Sequence, residues 1–304
     1  MQPVSLFADS DVMGLLLAAL AALSFVILDV LRKILGRRLP TAVIVIGINL
    51  GSALVFLFAL SVRGGWACDS TFVLIATIET MTFTVASILY VQAVTLSPLS
   101  LTIPYLAFTP VISALIGVFA LGEIPSQRGF TGIALVVIGA LLLHTGDVGR
   151  FRDLLYAPLR EPGSWRMLVV AGIFGVTTVL DKIAIRHGSE PLLGLALTLG
   201  SSIILVCAVF LSSSLMPSEA LSELEKRKPW KEPLLYLAAL VAGVAVLSQF
   251  FAYSYLFVSY VETIKRAGGL FSVLIGTVIF REGNLSRRLP AAALMVLGIA
   301  LIIS

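Results

Sequence analysis

Charged side chains are what this sequence has least of: 12% of its 304 residues are Asp, Glu, Lys or Arg, against about 25% in a soluble domain. Histidine occurs only at His144 and His187, and cysteine only at Cys68 and Cys207. Two separated cysteines cannot form a disulfide framework or a four-ligand zinc site. The chain has no Walker loop, dinucleotide fingerprint, Ser-His-Asp arrangement or metal-ligand cluster, which argues against an ATP-driven pump and gives no convergent groups for an enzyme. No catalytic residue, metal site or cofactor is expected. The alternating segments of about ten residues that mark membrane barrels are missing too, as the unbroken apolar run Gly132 to Leu143 illustrates. Met1 to Val12 holds Asp9 and Asp11 but no Lys or Arg. It therefore lacks the basic flank of a signal peptide, and the first apolar segment is expected to be retained.

What is abundant is apolar sequence, with 59% hydrophobic residues and a mean hydropathy of +1.05. Ten apolar segments, 12–35, 41–62, 72–96, 99–121, 129–145, 166–186, 191–213, 234–257, 260–280 and 289–303, have the roughly 17 to 25 residues that a hydrocarbon core of about 30 Å requires of a helix. The reading is an all-α polytopic membrane protein with ten transmembrane helices.

The few charges are placed unevenly. If the connections alternate sides, those after segments one, five, seven and nine hold fifteen basic residues, from Arg32 to Arg288, and the opposite side keeps Arg63, Arg128 and Arg186. Basic loops stay in the cytoplasm. The bias predicts a multi-pass protein of the cell (inner) membrane with both termini outside, its basic loops meeting membrane lipids. No nucleic-acid module is present, so no nucleic-acid partner is expected.

The chain is also written twice. One offset of 159 residues pairs Ala93 with Ala252, Ser100 with Ser259, Ser113 with Ser272, Gly117 with Gly276, Glu123 with Glu282, Arg128 with Arg287 and Gly139 with Gly298. Two slightly different offsets pair Leu28 and Asp29 with Leu180 and Asp181 (152 residues), and Leu50 to Ser52 with Leu199 to Ser201 (149 residues). Five segments are followed by five more, and five is odd, so the copies enter the membrane from opposite sides as inverted 5+5 repeats. The organisation read from this is a first repeat over 1–148, an interfacial connector over 149–165 and a second repeat over 166–304. Ser218 to Lys228 resembles a second surface connector. Two like halves of opposite orientation can expose a shared central site to one side and then the other.

Thr95 to Leu143 resembles the end of an EamA domain, the repeat of the drug/metabolite transporter superfamily, in Pro98 and Ser100, Pro110, the Leu121-Gly122-Glu123 triplet, and Gly132 and Gly139. The second copy keeps Glu282 and Gly298 but has Phe-Arg-Glu for the triplet and Gly269 for Pro110. The resemblance implies a ten-helix bundle with a central cavity and alternating access. It also implies cytoplasmic termini, against the charge bias of this chain's own loops. Ile264 to Arg266 is similar to the Lys-Arg pair with which plastid triose-phosphate translocators hold phosphate in their ninth span. The basic residue those proteins add from the fourth span is absent, since Thr102 to Leu121 has no Lys, Arg or His. Sugar-phosphate specificity does not carry over, while an anionic substrate does.

Lys265 and Arg266 stand in the otherwise apolar stretch Tyr260 to Phe280, where each central cation costs about 2.5 to 3.5 kcal/mol on insertion scales. Glu79 lies seven residues into its segment and Lys265 five, so both are expected roughly 8 to 11 Å deep at 1.5 Å per residue. Asp181 and Lys182, near the end of the sixth segment, reach a similar level, giving a layer of Glu79, Asp181, Lys182, Lys265 and Arg266. Its two acids and three bases leave one cation over, which favours an anionic ligand on Arg's planar fork, though a structural ion-pair network accounts for the same residues. The substrate-binding candidates are Lys265, Arg266, Lys182 and Tyr105, whose hydroxyl would face the cavity. The coupling or counter-charge candidates are Glu79 and Asp181. Ala267 to Gly269 permits a helix break or close helix packing. Asp29, Arg32 and Lys33 form a helix-end charge cluster read as structural, and Glu123 and Glu282 are turn anchors.

The function expected from the sequence is a secondary active transporter, not an enzyme, moving a small polar and anionic, phosphorylated or carboxylated, metabolite by alternating access. The alternative is a flippase for a phosphorylated lipid headgroup.

Overall fold

In a computed structural model the protein is described over residues 9–97, 102–148, 161–213, 231–268 and 285–303. Pro98, Ser100, most of the 149–165 connector, Ser218 to Lys228, Gly269 and the distal part of the ninth segment with Glu282 lie outside the described residues.

The described chain is helical throughout, with no strand among the described residues. The helices are α1 (Asp9–Gly36), α2 (Thr41–Arg63), α3 (Ser70–Leu96), α4 (Thr109–Leu121), α5 (Gln127–Val148), α6 (Pro162–Arg186), α7 (Glu190–Ser213), α8 (Pro233–Tyr253), α9 (Val258–Ala267) and α10 (Leu285–Ile303). Six stretches, in α1, α2, α3, α6, α7 and α8, are long and apolar enough to cross a membrane, and Tyr105–Leu121, Gln127–Leu142 and Pro290–Ile303 are shorter apolar helices. The chain is thus a multi-pass membrane protein. Its outward side chains fit that solvent: Phe58, Leu54, Met81 and Phe119 are exposed, Phe119 by 90%.

Two helix breaks differ from the sequence expectation. The fourth segment is not one helix: Ile103–Phe108 is a 3-10 turn with proline in its first turn, and α4 starts afresh with Pro110 at its beginning. Each proline removes a backbone donor, so the turns before it cannot continue an α-helical ladder. The eighth segment ends at Tyr253, four residues early, because Phe257 is extended (ψ 142) and starts α9.

Lipid tails are as apolar as leucine, so helices associate here through close packing and buried polar bonds. α1 packs on α8 and α9, α3 on α6 and α7, α2 on α7 and α8, α4 on α6 and α9, and α5 on α10. α5 and α10 approach closely, so that a Cβ on Gly132 or Gly298 would collide with the other's carbonyl oxygen. Asn49 of α2 donates to Ser201 Oγ of α7 at 3.1 Å, and Ser52 of α2 donates to the Ala239 carbonyl of α8 at 2.9 Å.

Polar contacts draw the helix ends together at both ends of the bundle. At the first end, where α1, α3 and α9 begin, Asp69 meets His187 (2.7 Å), Ser189 donates to the Gly65 carbonyl (2.8 Å), and Ser254 donates to Glu190 (2.9 Å). At the second end Lys33 donates to the Ser97 carbonyl (2.8 Å), Ser97 to Glu161 (3.2 Å), Arg166 to Gln92 (3.1 Å) and Arg38 to Glu232 (3.2 Å).

Candidate functional site

The site is built around the short helix α9. Helical spacing puts Glu262, Lys265 and Arg266 on one face, three and four residues apart. Glu262 is fully buried and takes up both cations: Lys265 Nζ lies 2.6 Å from Oε1 and Arg266 Nη2 3.0 Å from Oε2. Oε1 also accepts the hydroxyl of Tyr253, the last residue of α8, at 2.8 Å. Lys265 donates in addition to Gln249 of α8, and its ammonium lies 4.7 Å from the centre of the Phe25 ring on α1. Arg266 keeps one buried donor, Nε, without an acceptor.

Below this cluster, toward the second end, Asp29 of α1 accepts from the Tyr90 hydroxyl of α3 at 2.7 Å and pairs with Arg32 at 3.7 Å. The Arg32 guanidinium stacks over the Tyr90 ring at 4.7 Å, and its Nε is a second buried donor without an acceptor. Asp29 also lies within electrostatic reach of Arg266 and Lys265. Toward the first end, Asp181 of α6 interacts with both Lys265 and Glu262, and Glu79 of α3 interacts with Asp181. Glu79 is completely buried, and no donor faces either of its oxygens; the polar group within hydrogen-bonding reach is the Asp181 carboxyl.

The structure therefore places four of the six candidates, Glu79, Asp181, Lys265 and Arg266, in one connected interior file. The other two face elsewhere. Lys182 follows Asp181 by one residue, a rotation of about 100° on the helix, and points to the connection after α4. There its ammonium pairs with Glu123 at 2.5 Å and donates to the Leu256 carbonyl at 2.8 Å. Tyr105 sits in the 3-10 turn, buried among Met167, Val170 and Ala171 at the start of α6, with its hydroxyl bonded to Ser164. The proline-broken segment has turned it away from the file.

The expected surplus of one cation is also corrected. Glu262 joins the layer and Lys182 leaves it, so the described file holds four carboxyls, Asp29, Glu79, Asp181 and Glu262, against Arg32, Lys265 and Arg266. What remains in favour of an acceptor ligand is local: two buried guanidinium donors, Arg32 Nε and Arg266 Nε, with nothing to donate to. Glu262 was readable in the sequence, one helical turn before Lys265 and Arg266. Gln249, Tyr253 and Tyr90 carried no signal, because a polar tip on an otherwise apolar span is ordinary. Glu123 is the turn anchor expected of it. Gly122 adopts φ +68, which lets the Glu123 N–H bond back to the Gly117 carbonyl (3.1 Å), and the Glu123 carboxylate then accepts the Val258 N–H (2.8 Å) at the start of α9.

No cluster of three or more metal-ligating side chains occurs among the described residues. Residues 12–145 match the sequence model of the EamA-like transporter family, a family of membrane transporters. No curated protein sequence matches the chain. Among 28 solved chains that match, one crystal structure has 16% sequence identity and a TM-score of 0.71 and covers 96% of this chain and 96% of its own. That likeness is one of fold.

Proposed function

We propose that this chain, whose first half is EamA-like, is a secondary active transporter that carries a small polar metabolite with an anionic group by alternating access. The observation that carries the substrate reading is the pair of buried, unaccepted donors at Arg32 and Arg266. Donors without acceptors inside a bundle leave their desolvation unrepaid, and a carboxylate or phosphate entering between them would accept from both. Lys265 and Arg266 are then released in part from Glu262 to the substrate, and Glu262 recaptures them when the site empties. Arg32, which the sequence assigned to a structural cluster, joins them as a substrate residue, and Lys182 and Tyr105 leave that set.

Alternating access calls for two inverted halves, and paired contacts support that reading. Gly14 packs on Leu256, and Gly163 packs on Ser97; Gly51 packs on Ala239, and Gly200 on Thr80. In each pair the glycines are related by the 149-residue step that relates Leu50 to Leu199, and their partners by the 159-residue step of the repeat. Lys33 on the Ser97 carbonyl and Lys182 on the Leu256 carbonyl follow the same two steps. An exchange of these contacts between halves would open one end while closing the other. The halves run 1–148 and 166–304, and the basic loops face the cytoplasm.

The test is thermal stabilisation of the purified protein by inorganic phosphate, a dicarboxylate and neutral sugars, repeated with Lys265→Gln, Arg266→Gln and Arg32→Gln. The anions are expected to stabilise the wild type and to lose most of that effect in Arg266→Gln and Arg32→Gln. Stabilisation by neutral ligands alone, or an unchanged response in these variants, would overturn the anion reading.

A further inference from the structure

We propose that Glu79 is the binding site of a coupling proton, exchanged through Asp181, an inference that rests on the transporter reading above. Glu79 sits about one third of the way along α3 from the first end of the bundle, completely buried, with no hydrogen-bond donor facing either oxygen and the Asp181 carboxyl within hydrogen-bonding reach. An ionised carboxylate at membrane depth is held only where a cation or several donors face it. None does.

The groups around it can be named element by element. From α6 Asp181 faces Glu79, and it is an acid. From α9 Lys265 and Glu262 act on Asp181, and each is already engaged by the other. α7 packs Gly200 onto Thr80 beside Glu79 and brings its one charge, Glu190, to Ser254 at the end of the bundle. The basic group of α2 is Arg63, stacked on Phe251 at the helix end. On α1, Asp29 accepts from the Tyr90 hydroxyl and Arg32 stacks over the Tyr90 ring, three turns further along α3. Among the described residues Glu79 thus meets one neighbouring charge, of its own sign, and the group that satisfies such a carboxyl is a proton.

The arrangement also links the proton to the substrate residues. Asp181 lies between Glu79 and the Lys265–Glu262 pair. When a substrate anion draws Lys265 and Arg266 from Glu262, the balance of charge at Asp181 changes. The proton then passes between Asp181 and Glu79 and is lost to, or gained from, water at the first end. No other reactant is required.

Infrared spectroscopy of the full chain in liposomes tests the proton directly. The wild type is expected to show a protonated-carboxyl C=O stretch that is absent in Glu79→Gln and that titrates at a displaced pH in Asp181→Asn. A spectrum unchanged by Glu79→Gln overturns the proposal, as does a wild type without the band. In the same liposomes labelled inorganic phosphate and succinate serve as transport probes. Glu79→Gln is expected to keep exchange of a probe across the membrane and to lose at least tenfold of its accumulation under a pH gradient. Undiminished accumulation in Glu79→Gln, or accumulation driven by sodium in place of protons, overturns the proposal. A wild type that moves neither probe counts against the substrate reading, and the carboxyl band still decides the proton.

Discussion

At the scale of the residue, the cation pair Lys265 and Arg266 is not free. Lys265 and Arg266 share Glu262, and Glu262 is held further by Tyr253. Removing one member of a buried ionic cluster leaves an uncompensated charge, at about 3 to 5 kcal/mol. Glu262→Gln should therefore lower stability in denaturant or heat by about that amount, and adding Lys265→Met and Arg266→Met to it should restore much of the loss. A Glu262→Gln protein as stable as the wild type would mean that the cluster contributes little. The charges of the file were legible because ionisable residues in apolar runs stand out. Their directions were not. The one-residue step that sends Asp181 to the interior sends Lys182 to Glu123, and which of the two faces the bundle axis is fixed by packing, not by hydropathy. The same holds for Tyr105, whose side chain follows a proline-broken backbone.

At the scale of the element, helix spans read well from apolar length, and helix breaks less so. The sequence marks Pro104 and Pro110, yet the 3-10 turn between them and the early stop of α8 at Tyr253 depend on partners far along the chain. Glu123, 135 residues away in sequence, accepts the Val258 N–H that opens α9. A helix start fixed from so far away leaves no local signal. α3 offers the contrasting case, a local cap. Asp69 accepts the Phe72 N–H at 2.9 Å and also meets His187. The Phe72 hydrogen bond first, and the His187 contact after it, hold the Asp69 carboxyl below its ordinary value of 3.8. A group whose value is lowered by folding contributes stability that is present above its unfolded value and is lost as pH falls through its folded value. The protection of the Phe72 amide, its exchange measured against the intrinsic rate at each pH, should accordingly persist at neutral pH and be lost only as the pH falls below about 3.8, while Asp69→Asn should remove that acid dependence. Exchange at Phe72 with the same pH profile in both proteins would show that the cap is not made by this carboxylate.

At the scale of the whole molecule, the proposed duplication is read from residue identities at nearly constant offsets, and the contacts Gly14 to Leu256 and Gly163 to Ser97 follow those offsets. What no single sequence carries is which ends of the bundle are closed. Here both ends of the bundle are tied by polar contacts, and the polar file lies between them. Orientation is read from charge: the basic residues concentrated in and beside one set of loops predict that Cys68, exposed in the connection between α2 and α3, lies outside. A membrane-impermeant thiol reagent should label Cys68 in intact cells, and labelling only after permeabilisation would reverse the topology. The central claim is that an anion-bearing metabolite crosses through a site lined by Arg32, Lys265 and Arg266 that opens to one side at a time. Counterflow in proteoliposomes tests it most directly. Vesicles loaded with unlabelled phosphate or succinate should take up the labelled anion transiently above its equilibrium level, and Arg266→Gln should abolish the overshoot. Uptake that never overshoots, or an overshoot unchanged in Arg266→Gln, would contradict the account.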